Sequence, residues 1–118
     1  MTITTTEAPE LRAEEFRAWL ASKKPREIVG ERAQCTTCPV ARYAHETLDV
    51  EDAWVGRALW WTVGPKENDP GHDLPSWVMD FTCQSDRGFK RWPHITAGRA
   101  LRILDAVLAE QAVEGAAR

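Results

Sequence analysis

The chain has 118 residues, a net charge of −3, and an ordinary balance of 43% hydrophobic and 28% charged residues. This composition argues against a disordered chain and predicts one domain with a single core, while the acidic balance disfavours a dedicated nucleic-acid binder. No apolar run approaches the ~20 residues that span a bilayer and no signal-peptide pattern is present, so we expect a cytoplasmic protein with reduced cysteines and no membrane partner.

The first segment with helical periodicity predicts a helix from Pro9 to about Ser22. Proline fits a first helical turn, where its missing N–H would be unsatisfied in any case. An apolar stripe then follows at helical spacing: Ala13, Phe16 and Leu20. The next apolar group, residues 28–30, is predicted to be a short apolar segment within a connecting loop.

The following segment carries a C-x-x-C motif, Cys35 and Cys38, directly before Pro39. Pro39 suits the first helical position with Cys38 as cap, or Thr37 serves as cap one residue earlier, and a short second helix is predicted to end around Leu48. A helix N-terminus stabilises thiolate, the nucleophilic and metal-binding form of cysteine. The preferred alternative is that Cys38 is a small buried cap residue, because free cysteine is commonly buried.

A structural zinc site would need four ligands, usually in two closely spaced pairs. The C-x-x-C motif supplies one pair, but no second pair has ligand spacing among the residues that could complete the site: Cys83, His45, His72 and His94. We therefore expect no cofactor, with zinc as an open alternative. Since no known catalytic motif is present either, an enzyme is not expected.

Residues 49–63 are rich in aromatic and β-branched side chains, which favour strands. Trp54-Val55 and residues 58–63 flank Gly56-Arg57, and a Gly-X pair is typical of a type II′ hairpin turn. We predict a two-stranded hairpin that packs its tryptophan-bearing face on the helices. Residues 64–73 are predicted to form a loop because of their Gly-Pro and Pro-Gly pairs.

Pro75 is predicted to open a third helix that stops at Gly88. Its core stripe consists of Leu74, Trp77, Val78 and Phe81. Met79 and Cys83 fall on another side of this helix, at about 100° per residue. The helix therefore has a second apolar face, which either lies in the interior or meets a partner.

A loop with two large aromatic residues, Phe89 and Trp92, leads to a last helix that Thr96 caps and that runs from 97 to about 113. Residues 87–102 hold no acid and five bases, a local pattern that could bind a phosphate backbone and stack a base: Arg87, Lys90, Arg91, Arg99 and Arg102. The preferred alternative is a solvated charged helix face, because the acidic remainder weakens long-range attraction.

Together these elements predict a mainly α (α+β) fold: about four helices packed with a small two-stranded β-hairpin between the second and third helices. We expect a flexible tail over residues 1–8, one globular domain over 9–113 and a frayed end over 114–118.

Four segments carry a resemblance: Val29-Gly30, Cys38-Pro39-Val40-Ala41-Arg42-Tyr43, Leu74-Pro75-x-Trp77-Val78 and Ile95-Thr96-Ala97-x-x-Ala100-Leu101. Over roughly residues 16–108 the chain resembles small uncharacterised actinobacterial and phage proteins. The resemblance implies a compact helical domain and no particular activity. The Ala- and Arg-rich composition agrees with such a source.

The leading functional hypothesis is a non-catalytic module that binds another protein or itself. It rests on the missing catalytic motifs, the second apolar face of the third helix, and six tryptophans, a residue type enriched at interfaces. The candidate contact residues are Trp60, Trp61, Met79, Cys83, Phe89 and Trp92. The alternatives are a C-x-x-C metal or redox protein, with Cys35, Cys38, Cys83 and His45 as candidates, and a nucleic-acid binder through residues 87–102.

Overall fold

The computed structural model describes residues 8–64, 70–87 and 92–116, in which four helices accompany two small antiparallel sheets. The helices are α1 (Ala13–Ala21), α2 (Pro39–Thr47), α3 (Ser76–Asp86) and α4 (Ala97–Ala116). The strands are β1 (Ile28–Glu31), β2 (Trp54–Val55), β3 (Leu59–Trp61), β4 (His72–Asp73) and β5 (His94–Thr96). The fold is therefore α+β. None of the described helices is long and apolar enough to cross a bilayer.

The core is organised around the ring of Phe16 on α1, which is fully buried. Four aromatic rings from α1, α2 and α3 lie around it, at centroid distances of 5.9 Å (Trp19), 5.3 Å (Tyr43), 5.3 Å (Trp77) and 5.2 Å (Phe81). Aromatic pairs of this kind contribute roughly 0.5–1.5 kcal/mol beyond their buried area. The ring of Phe16 thus packs against aromatic rings from three helices.

The first helix begins at Ala13, later than the predicted start at Pro9. Arg12 is its N-cap and has an extended backbone, with φ −97° and ψ 130°. Leu11 is buried, and its carbonyl accepts a hydrogen bond of 3.0 Å from Nε1 of Trp77. Because a buried indole N–H needs a partner, the segment before α1 stays extended against α3 instead of extending the helix.

Two strands lie where the sequence predicts loops. β1 pairs antiparallel with β5, placing Gly30 opposite Ile95 and Glu31 opposite His94. The loop predictions are wrong because each strand has only three or four residues and its partner lies far along the chain. Gly30 also permits a close approach to the start of α2, since a Cβ there would lie 2.6 Å from the backbone nitrogen of Pro39.

In the second sheet β2 and β3 pair antiparallel, and β4 adds a third strand where the sequence predicts a loop. The turn between β2 and β3 is not type II′, which requires a positive φ at Gly56; within the described ranges the glycine with positive φ is Gly71. The N–H of Gly56 instead donates to the carbonyl of Leu59 at 2.8 Å, so Arg57 and Ala58 form the tip.

The predicted chain ends lie partly outside the described residues. Of the tail over residues 1–8 the structure describes Ala8, which is half-buried and packs against the core. The predicted stop at Gly88 also lies outside the described residues. At the other end, α4 continues past the predicted limit near residue 113 to Ala116.

Replacing Phe16 with alanine should lower the free energy of unfolding by about 3–5 kcal/mol, because the lost ring leaves a cavity among four aromatic neighbours. Urea denaturation followed by circular dichroism measures this change. Val113→Ala is the matched control, since Val113 is 70% exposed on α4 and should change stability by less than about 0.5 kcal/mol. A Phe16 variant as stable as the control would contradict the central role of this ring.

Candidate functional site

Among the described residues, four arginines line one concavity of about 630 Å³ between the end of α3, the entry to β5 and α4. They are Arg32, just after β1; Arg87, the C-cap of α3; and Arg99 and Arg102, both on α4. Apolar groups from Trp92, Ile103 and Val107 form part of the wall. We call this concavity the arginine pocket.

Arg32 fixes one wall of the arginine pocket. The residue is 7% exposed, its Nη1 donates to the carbonyl of Trp92 at 2.6 Å, and its backbone N–H donates to the carbonyl of Pro93 at 2.6 Å. Burial, and then the positive charge of Arg99, lowers the pKa of Arg32, although an arginine still keeps its charge at neutral pH. The backbone of Trp92 is thereby anchored while its side chain remains 60% exposed.

The charge of the arginine pocket is opposite to that of the whole chain. Glu110 is the one acidic residue among the described residues that line it. Arg99 and Arg102 are three residues apart on α4, so their side chains project from adjacent positions on one face of the helix. Among the described residues, none of the ion pairs involves Arg87, Arg99 or Arg102. The pocket is therefore a cationic surface with an apolar wall.

The arginine pocket contains three of the five basic residues that the sequence suggests for nucleic-acid contacts, namely Arg87, Arg99 and Arg102. The other two, Lys90 and Arg91, lie outside the described residues. Arg32 was not predicted, because it is remote in sequence from residues 87–102. The pairing of β1 with β5 is what brings it there.

The three cysteines line a second concavity, of about 610 Å³, between the loop before α2, the β2–β3 hairpin and α3. We call it the cysteine cleft. Cys35 and Cys83 are exposed, whereas Cys38 is buried. Met79 also lines it and is half-buried, so the second apolar face of α3 opens onto this cleft.

Cys38, one of the two predicted caps, is the N-cap of α2. Burial raises the pKa of its thiol to about 11. The amides of Val40 and Ala41 act in the opposite direction, but without the geometry of a capping hydrogen bond. The thiol is therefore protonated at neutral pH, a state that is a poor nucleophile and a poor metal ligand.

The proposed metal ligands do not assemble in the described part of the chain. His45 is in the last turn of α2, roughly 10 Å along the helix from Cys38. Its Nδ1 lies 2.9 Å from the carbonyl oxygen of Val50. Within residues 8–64, 70–87 and 92–116, no group of three or more His, Cys, Asp or Glu side chains is placed to hold a metal ion.

The candidate contact residues differ widely in exposure. Trp60 is 2% exposed and belongs to the core, which leaves little of its surface available for contact with a partner. Trp61 and Met79 are half-buried, while Cys83 and Trp92 are exposed. Phe89 lies outside the described residues. Trp92 is the candidate with the largest exposed fraction, and it borders the arginine pocket.

No protein-family model, curated protein or solved structure matches this chain. The resemblance to small actinobacterial and phage proteins stays a prediction.

Iodoacetamide at pH 8 should alkylate Cys35 and Cys83 in the native protein and leave Cys38 unmodified, because Cys38 is buried and deprotonates only as the pH approaches 11. Peptide mapping by mass spectrometry locates the adducts. In urea the wild type should gain a third adduct, whereas the control variant Cys38→Ala should not. Modification of native Cys38 as fast as Cys35 would contradict its burial.

Proposed function

We propose that the chain is a small non-catalytic interaction module that binds an acidic segment of another protein in the arginine pocket. One observation carries the proposal: a chain of net charge −3 gathers four arginines and a single described acid around one concavity. Opposite charge steers encounter, and the planar guanidinium can bind a carboxylate through two parallel hydrogen bonds. The cytoplasmic location and the actinobacterial or phage origin that the sequence predicts belong to the same proposal.

Trp92 supports this proposal as an apolar anchor. Its side chain is 60% exposed beside the arginines, with Ile103 and Val107 in the same wall. Tryptophan and arginine are the residue types most enriched among those that dominate binding energy at protein interfaces. A partner segment with an apolar side chain next to its acids would match both parts of the pocket.

Single-stranded nucleic acid is the second candidate ligand, because the same arginines could hold phosphates while Trp92 stacks a base. Such binding usually needs a basic groove that follows the strand over several nucleotides. The arginine pocket is instead one concavity of about 630 Å³, which suits a compact anionic group. The metal or redox alternative has less support, since burial keeps the thiol of Cys38 protonated.

A fluorescein-labelled Glu-rich peptide with a central leucine should bind the full chain at low ionic strength, as measured by fluorescence anisotropy. Arg99→Ala and Arg102→Ala should each weaken binding about tenfold, because each removes charge-assisted hydrogen bonds worth roughly 1.5–3 kcal/mol. Added salt should weaken binding further.

Arg12→Ala is the matched control, since Arg12 is an exposed arginine that pairs with Glu10 and does not line the arginine pocket. It makes the same change in net charge and should leave the affinity unchanged. If all three variants lost the same affinity for the peptide, net charge alone would explain the loss, and the proposal would be overturned. A different result would favour the nucleic-acid function over the proposed one. In that case a labelled single-stranded oligonucleotide binds, its binding is weakened by Arg99→Ala and Arg102→Ala, and the peptide does not bind.

A further inference from the structure

We infer that the turn before α2 is an oxidative modification site, in which a small hydroperoxide oxidises Cys35 and Cys38 then closes a disulfide with it. The inference goes beyond the proposed function and is independent of it, because it concerns the cysteine cleft and neither Arg99 nor Arg102 lines that cleft. It follows from the spacing of the two thiols, from their opposite exposure and from the contacts that fix the turn.

One right-handed turn of the backbone joins the two thiols. The N–H of Cys38 donates to the carbonyl of Gln34 at 3.0 Å, and none of residues 35–37, all of which the structure describes, has a positive φ. Cys35 and Cys38 are therefore three residues apart on one side of this turn, a spacing that places Cβ atoms about 5–6 Å apart in a helix. A disulfide needs Cβ atoms about 3.5–4.5 Å apart, so a small closure of the turn joins the two sulfurs.

The two thiols differ in access, and this difference assigns their roles. Both line the cysteine cleft, but Cys35 is exposed whereas Cys38 is only 6% exposed. A peroxide that enters the cleft therefore meets Cys35 first. Because burial raises the pKa of Cys38 to about 11, its thiol is protonated at neutral pH and is not the group that attacks the peroxide. Its position beside Cys35 suits it to the second step instead.

Backbone hydrogen bonds hold this turn against three other elements. The carbonyls of Cys35 and Thr37 accept hydrogen bonds of 2.9 Å from N–H groups of β2 and β1, respectively. On the side of α3, Oδ1 of Asp86 accepts a hydrogen bond of 2.8 Å from the N–H of Ala33. The two thiols are thus held near each other before any reaction, and such positioning gives an intramolecular step a high effective concentration.

The reaction balances with the hydroperoxide as the oxidant. The thiolate of Cys35 attacks one peroxide oxygen, so that an S–O bond forms, the O–O bond breaks and the other oxygen leaves as water or an alcohol after it takes a proton. The thiol of Cys38 then loses its proton to solvent and attacks the sulfur of this sulfenic acid. The S–S bond forms, the S–O bond breaks and water leaves. Two thiols thus supply the two electrons that reduce one peroxide.

Peptide mapping of the full chain after treatment with hydrogen peroxide tests the inference. The reduced protein is oxidised, its remaining thiols are blocked with iodoacetamide in urea, and trypsin then leaves Cys35 and Cys38 in one peptide, residues 33–42, and Cys83 in another. The wild type should contain a disulfide within the first peptide, and dithiothreitol should remove it. Cys83 should take no part in this disulfide, since the turn does not link it to Cys35.

Three results of this map would overturn the inference. They are a disulfide that joins Cys35 or Cys38 to Cys83, a disulfide between two chains, and oxidation of Cys35 to sulfinic acid while Cys38 remains a thiol. Because the map uses the wild type, it decides the inference even if a variant fails to fold.

Variants assign the two roles. In Cys38→Ala the sulfenic acid of Cys35 has no neighbouring thiol with which to condense, so dimedone should capture it at least about tenfold more than in the wild type. Cys83→Ala is the matched control, which should form the disulfide as fast as the wild type and show no increase in dimedone capture. Cys35→Ala should leave the shielded Cys38 unoxidised. Circular dichroism checks that each variant is folded, and equal capture in the wild type and in Cys38→Ala would contradict the role of Cys38.

Discussion

The pairing of β1 with β5 is the contact on which the candidate site depends. It places Arg32, which follows β1 directly, next to the backbone of Trp92 and Pro93, where two hydrogen bonds of 2.6 Å hold the strands' ends together. The pairing adds Arg32 and Trp92 to a concavity whose other walls come from α3 and α4. A sheet of two very short strands is marginal alone, so it must be held by the helices around it.

The helices supply that support through the core. Phe16 joins α1, α2 and α3, and α4 adds buried Leu104 and Ala100. Outside the core, Arg17 of α1 binds Asp105 of α4 through two hydrogen bonds of 2.7 and 3.1 Å, which lower the pKa of that carboxyl. Both side chains are about half exposed, so solvent screens this pair and burial remains the main determinant of where α4 lies.

The sequence could predict the helices because their signals are local. Pro39 marks the start of α2, and the side chain of Thr96 accepts a hydrogen bond of 3.3 Å from the N–H of Arg99 at the start of α4. The strands β1, β4 and β5 could not be predicted, since each is too short for alternation to show. The same limit applies to the candidate site. Arg99 and Arg102 stand out in a basic stretch, but Arg32 joins them only through long-range pairing.

The C-x-x-C motif shows two local effects acting in opposite directions on one thiol. Its position before a helix favours thiolate, because a charge at an exposed helix terminus gains roughly 0.3–1 kcal/mol, whereas the preferred sequence prediction is a small buried cap residue. In the folded chain, burial moves the pKa of Cys38 from 9.0 to about 11, which favours the protonated form by roughly 2–3 kcal/mol. Burial therefore outweighs the helix terminus. The exposed arginines are not subject to this competition, because guanidinium keeps its charge whether it is exposed or partly buried. Binding of an anion thus agrees better with this fold than thiolate chemistry at Cys38 does.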